Sequence, residues 1–421
     1  MKILRAALKS ACLTATCVVG LIAATDASAQ NFDRNRNVSV AARPHPEYDP
    51  LGVRVGAFTA SPVATISAGY LDNFYATETD KTSDVYANLE ASIGLRSGWS
   101  RHALGFNASA ETTQYGKVEG QNTFNYAIGT NGRLDIDRSS SLTANASFAR
   151  ATESRYISAN AQEARDPAQY TVATAQLRYS KEFNRVRIRG DVELKKSNFE
   201  DTTSFAGALI DQDFRDGTVY EYTGRVDYAF SPATAFFVET SYNERKFNDT
   251  ARPRDSHGYR ALAGVNFELT DLVRAELGLG YLSQKYDNPT RPDISGFSAR
   301  GELEWFPTQL TTVTLGVARN LEDSSLFGSA GYVHLVGRVR VDHELRRNII
   351  LFTEYNRMRD KYAGLSRTDR RSVIVLGASY RMNRLARITA QYRHNTQDSS
   401  GAFAGRTFDA NQVNISTSLS F

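Results

Sequence analysis

In the ten residues from Val186 to Lys195, VRIRGDVELK, apolar and charged side chains take turns. Val186, Ile188, Val192 and Leu194 alternate with Arg187, Arg189, Asp191, Glu193 and Lys195. A period of two marks a β-strand with two unlike faces. The pattern returns in VHLVGRVRVD (333–342), where Val333, Leu335, Val339 and Val341 oppose His334, Arg338, Arg340 and Asp342. In LVRAELGLGYL (272–282), Val273, Ala275, Leu277 and Leu279 oppose Arg274 and Glu276. Between 294 and 306, Phe297, Ala299, Leu303 and Trp305 oppose Arg300, Glu302 and Glu304. Desolvating each such charge costs on the order of several kcal/mol, so a face built this way does not fill a dry core. It suits a wet interior whose outer wall meets lipid. A soluble β-helix or sandwich accounts for one or two strands of this kind, not for a dozen.

The last fourteen residues, FDANQVNISTSLSF (408–421), carry the same period in milder form. Val413, Ile415, Thr417, Leu419 and Phe421 alternate with Asn414, Ser416, Ser418 and Ser420. A strand that runs to a terminal aromatic fits a closed outer-membrane barrel, where the last strand pairs with the first and leaves no edge. Val413, Ile415 and Leu419 are expected to face lipid, with the strand antiparallel to one near 63–75. Phe421 is the expected signal for the barrel-assembly machinery.

From Pro62 onward one unit recurs: strand, polar loop, strand, tight turn. Apolar alternation places strands at 63–75, 86–97, 102–115, 122–137, 139–155, 170–183, 186–200, 216–231, 233–249 and 257–270. It continues through 272–287, 294–306, 310–323, 330–345, 347–363, 368–382, 385–399 and 408–421. The expected fold is an all-β, transmembrane, antiparallel up-and-down barrel of about 18 strands, with 16 to 20 open, short turns facing the periplasm and longer loops outside. Tyr179, Tyr228, Phe230, Phe267, Trp305, Phe306 and Tyr380 gather at the turn ends. Tyr242, Tyr281, Tyr286, Tyr355, Tyr362 and Tyr392 gather at the loop ends. Together they are expected to form two aromatic girdles.

The N-terminus has the layout of a secretory leader: Lys2, Arg5 and Lys9, an apolar stretch from Ala11 to Thr25, then Ala27-Ser28-Ala29 as a cleavage site. Expected units are a signal peptide over 1–29, a periplasmic tail or lead-in segment over 30–61, and the barrel over 62–421. Both cysteines, Cys12 and Cys17, fall in the leader. Without Lys2, Arg5, Lys9 and Asp26 the chain holds 47 basic and 45 acidic residues, a formal charge of about +2. Such balance removes the electrostatic case for nucleic acid.

The six histidines match no metal-ligand spacing, G-x-S-x-G is absent, and no dinucleotide or phosphate loop follows a strand. No catalytic residue, metal or cofactor is therefore expected, and no enzyme. What remains is the inward face. Besides the charges named above, Arg178, Arg225, Asp227, Arg260, Glu354, Arg387 and Arg393 project inward on this register. Two readings stay open: a rigid ion-pair network within the wall, or a transverse field that sorts solutes by charge.

The hairpins GRVDYAFSPATAFFVETSYNERKF, AGVNFELTDLVRAELGLGYLSQKYD and LGASYRMNRLARITAQYRHN, with the N-terminal GVRVGAFTASPVATISAGYLDNFY, resemble the putative β-barrel porin type 2 family of Gram-negative outer-membrane proteins. The resemblance spans roughly residues 50 to 421 and carries no catalytic positions. Single-chain barrels of about 16 to 18 strands generally leave an aqueous channel, and the inward charges nearly balance. The expected function is therefore an outer-membrane channel for passive diffusion of small hydrophilic solutes, weakly charge-selective, set among membrane lipid and lipopolysaccharide. One alternative is a barrel for exopolysaccharide export with periplasmic partners. A second is a non-conducting structural or adhesion barrel, favoured if loops fold inward.

Overall fold

The computed structural model describes residues 37–421 except 158–160, 167, 252 and 327; the leader expected over 1–29 lies outside the described residues. Eighteen strands make the wall. They are β1 (Phe58–Leu71), β2 (Asp84–Ser97), β3 (Ala103–Tyr115), β4 (Thr123–Asp135), β5 (Ser140–Thr152), β6 (Gln169–Phe183), β7 (Val186–Phe199), β8 (Gly217–Ser231) and β9 (Thr234–Phe247). The second half comprises β10 (Ser256–Leu269), β11 (Val273–Tyr286), β12 (Ile294–Thr308), β13 (Thr311–Asp323), β14 (Gly331–Arg346), β15 (Ile349–Tyr362), β16 (Thr368–Arg381), β17 (Ala386–Ser400) and β18 (Phe408–Ser420).

Each strand pairs antiparallel with the next, and β18 returns to β1 in a continuous register from Val63↔Ser420 to Leu71↔Gln412. The Phe421 amide adds one bond to the Pro62 carbonyl at 3.2 Å. Closure satisfies every strand edge, which a wall in hydrocarbon requires. Strands of 13 to 16 residues exceed the roughly 9–11 that cross a bilayer, so the wall extends beyond it.

The alternation places side chains as expected. Val413, Ile415 and Leu419 point outward, while Asn414, Ser416, Ser418 and Ser420 are half-buried on the inner side. Connections such as 184–185, 232–233, 309–310 and 347–348 are tight, whereas 153–168 and 200–216 form the long loops of the opposite rim.

Three details correct or sharpen the sequence reading. The first strand begins at Phe58 and ends at Leu71, and Asn73 and Phe74 turn into the mouth, where both are buried. Within the tail or lead-in segment expected before residue 62 lies a short strand, Val53–Val55, that folds back on Phe58–Ala60. Gly56 makes that turn with φ of 61°, a conformation open to glycine. Third, Phe306, Tyr286 and Tyr362 do not join the outer girdles. They share the parity of the inward positions and are buried, with Tyr362 packed on Tyr332 at 5.1 Å between ring centroids.

Candidate functional site: the barrel interior

Cross-strand register brings the inward charges of β7 to β12 together. Asp227 lies opposite Arg187, and Arg225 lies opposite both Arg189 and Glu239. Arg189 and Arg187 reach Asp227 at 3.0 and 3.4 Å. Arg225 contacts Asp227 at 2.7 Å, Glu276 at 2.9 Å and Glu239 at 3.5 Å. Arg300 bridges Glu239 at 2.9 Å and Glu276 at 3.3 Å, and Arg260 approaches Glu239 at 3.6 Å. Asp227 is 1% exposed and Arg225 4%. Like charges do meet in register, Glu276 opposite Glu302, and the arginines offset that repulsion. At the flanks Arg178 pairs with Asp191 at 2.5 Å, Gln176 reaches Glu193 at 3.5 Å, and Arg274 pairs with Glu304.

A second patch sits on β14 and β15. Arg340 lies opposite Glu354 and contacts it at 3.2 Å, while also holding Asp342 at 2.7 Å; Arg338 meets Glu354 at 2.6 Å. Arg387 and Arg393 on β17 occupy inward positions but join neither patch, and among the described residues no carboxylate lies within ion-pair distance of either. The wall from β1 to β4 is mostly uncharged inside, with Thr65, Ser67, Asn88, Ser92, Ser109 and Asn131. Its exceptions include Glu90 opposite Glu111, the latter accepting from Asn88 at 2.7 Å, and the Arg133–Asp135 pair of β4 at 2.7 Å.

Sequence reasoning did not single out the inward aromatics. Phe237 is 3% exposed, and Arg225 stacks on it with 3.7 Å from guanidinium carbon to ring centroid. Gly264 and Gly278 leave room for the ring, since a Cβ at either would press on it. Arg340 repeats the arrangement over Phe352 at 5.2 Å, with Gly377 beneath. A cation over a ring face gains electrostatically, and the ring shields the arginine from water. The available signal was a glycine in register beside an aromatic at an inward position.

The second omission is the β5–β6 loop, which turns inward at the outer mouth. Arg155, 6% exposed, donates to the carbonyls of Ala161 (2.8 Å), Ala164 and Arg165 (2.5 Å) and to Gln121 Oε1 (2.8 Å). Burial pushes its guanidinium down to about 10. Beyond it, Arg371 of β16 donates to the Ile157 carbonyl, Gln162 meets Gln397 of β17 at 3.2 Å, and Tyr156 donates to the Asn73 carbonyl at 2.8 Å. The loop thus reaches from β5 to inward-facing residues of β16 and β17. Its far end is clasped to the β7–β8 loop: the Arg165 amide donates to the Thr203 carbonyl at 2.7 Å, and Thr202 Oγ1 to the Asp166 carbonyl at 2.9 Å. The Arg165 guanidinium and the Thr203 hydroxyl hold the Asp166 carboxyl below its usual range.

A family model described as "Putative beta-barrel porin 2" matches residues 45–421. No curated protein matches the chain. Among solved structures it is similar to OccK1 (OpdK) of Pseudomonas aeruginosa, at 13% identity and TM-score 0.46, over 86% of this chain and 99% of that one. OccK2 (OpdF) of the same organism, solved with glucuronate, is similar at 13% identity and TM-score 0.48, covering 86% and 98%. The siderophore receptor PirA of Acinetobacter baumannii is similar at 8% identity and TM-score 0.47, covering 86% and 80%.

Proposed function

The chain belongs to the putative beta-barrel porin 2 family, an outer-membrane porin family, and we propose that this barrel passes small hydrophilic solutes with little preference for charge. The observation that carries this reading is the mutual cancellation of the inward charges in the two ion-pair patches of β7–β12 and β14–β15. Asp227, Glu239, Glu276 and Glu354 each lie against at least two arginines, so the field reaching a solute in the bore is small. Arg178, Arg187, Arg189, Asp191, Arg260, Arg338, Arg340 and Asp342 then act chiefly to stiffen the wall.

Planar-bilayer recording tests the proposal. Steps of conductance with cation-to-anion permeability ratios near unity support it, and no conductance above background rejects it. The inward β5–β6 loop favours a second reading, the non-conducting barrel, which the same recording separates. We assign a leader over 1–29 and a periplasmic segment that runs up to the wall, which starts at Phe58 rather than at residue 62, as part of this reading, together with lipopolysaccharide as the outer-leaflet neighbour. The assembly machinery is the proposed partner for Phe421. Deleting Phe421 lowers the level of assembled barrel before it alters conductance.

A further inference from the structure

The segment from Asn37 to Asp49 runs inside the periplasmic mouth rather than hanging from it. Asn37 Nδ2 donates to the Asp271 carbonyl at 2.8 Å, and the Asn37 carbonyl accepts from Arg274 Nη1 of β11 at 3.0 Å. Three residues on, the Val40 amide donates to Thr312 Oγ1 of β13 at 2.9 Å, and Val40 has no exposed surface. Arg43 reaches Glu344 of β14 at 3.1 Å and the Gln309 carbonyl at 2.6 Å. His45 is 6% exposed and lies 3.5 Å from the same carboxylate. The Pro46 carbonyl then accepts from Arg384 at 3.0 Å, in the β16–β17 turn.

The path therefore touches inward or rim positions from β11 round to β17 before it turns into β1. Fixing a residue costs roughly 1–2 kcal/mol of backbone entropy, so a tail without contacts of this kind would not be ordered. Here backbone groups find wall partners, Val40 is buried, and two basic side chains converge on one carboxylate. Ala42, between these contacts, remains exposed.

We infer that residues 37–49 form a second constriction, placed at the periplasmic mouth and in series with the one the β5–β6 loop makes outside; this rests on the porin reading. Solute size is then sorted twice, and the lower filter is set by a segment outside the barrel proper. Glu344 is the positioning residue of that filter, because it holds Arg43 and faces His45.

The test is single-channel recording of the purified, refolded chain from Gln30 onward, a variant of it lacking 37–49, and its single-cysteine variant Ala42→Cys. Both native cysteines precede residue 18, within the expected leader, so the introduced thiol is alone. Two comparable resistances in series predict about a twofold rise in conductance for the deletion. A bulky anionic methanethiosulfonate on Ala42→Cys narrows the same constriction and lowers the conductance. If the deletion does not assemble, the labelled variant decides. A wild-type barrel that conducts, with deletion and labelled variant unchanged, overturns this inference alone. A silent wild type beside a silent deletion overturns the porin reading and takes the inference with it.

Discussion

The guanidinium carbon of Arg225 sits 3.7 Å from the ring centroid of Phe237 while its nitrogens bind three carboxylates from three strands. The side chain thereby ties β8 to β9 and β11 across the intervening β10. Glycines in register on β10 and β11 make this possible by giving the ring a place to lie.

Replacing Arg225 with Met keeps bulk over the ring and removes the charge. Asp227, Glu239 and Glu276 then lose a shared partner in a nearly waterless setting, at a cost of about 3–5 kcal/mol. Urea unfolding of the barrel in lipid vesicles measures this. A loss below about 1 kcal/mol would show that lumenal water hydrates the three carboxylates.

Gly377→Ala sets a methyl group against the ring of Phe352, and the three nearest atoms a Cβ would meet all belong to that ring. The expected loss is about 1–3 kcal/mol, by overpacking. Phe352→Leu in the same chain should recover most of it. Failure of the second change to rescue the first would place the strain in the backbone of β16 instead.

Arg155→Met strips four acceptors on the β5–β6 loop and its neighbour of one donor. Hydrogen bonds to a charged group contribute about 1.5–3 kcal/mol each, enough to release the docked loop. Proteases applied to intact cells should then cut between 153 and 168, where the unaltered protein resists, and mean conductance should rise. An uncut loop with unaltered current contradicts the docking role.

The clasp at Asp166 responds to acid. Its carboxyl is depressed by Arg165 and Thr203, so the ionised form is favoured in the folded clasp. That contribution is present above the ordinary aspartate value of roughly 3.9 and is lost as pH falls through the lower, folded one. Amide exchange at 164–166 and 202–204, corrected for intrinsic rate, should accelerate over that window. Asp166→Asn should exchange faster at neutral pH and show no such acid step.

The wall was legible from the sequence because its signal is local. Alternation of Val186, Ile188 and Val192 with Arg187, Arg189 and Asp191 states both the strand and its two faces within seven residues. Eighteen strands and the partner of the last one followed from repetition of that signal. The pairing of particular charges did not, because register across strands depends on turn geometry: Arg225 of β8 meets Glu276 of β11, three strands along the wall and past Glu239 of β9. Tyr286 and Tyr362 were misplaced outward because proximity to a strand end outweighed parity in the reading, and parity decides the face. The inward courses of the β5–β6 loop and of residues 37–49 left no periodic trace, since their contacts are single bonds to distant strands, such as Val40 to Thr312.

The meeting of Gln162 with Gln397 also sets an order of events. These residues lie 235 positions apart in the chain, and the β5–β6 loop cannot make its contacts with Arg371 and Gln397 until β16 and β17 have joined the wall. Strands inserted one after another would pass through a barrel that is nearly round but still open at its outer mouth. The last of the loop's anchors thus forms only in a chain whose final strands are in place.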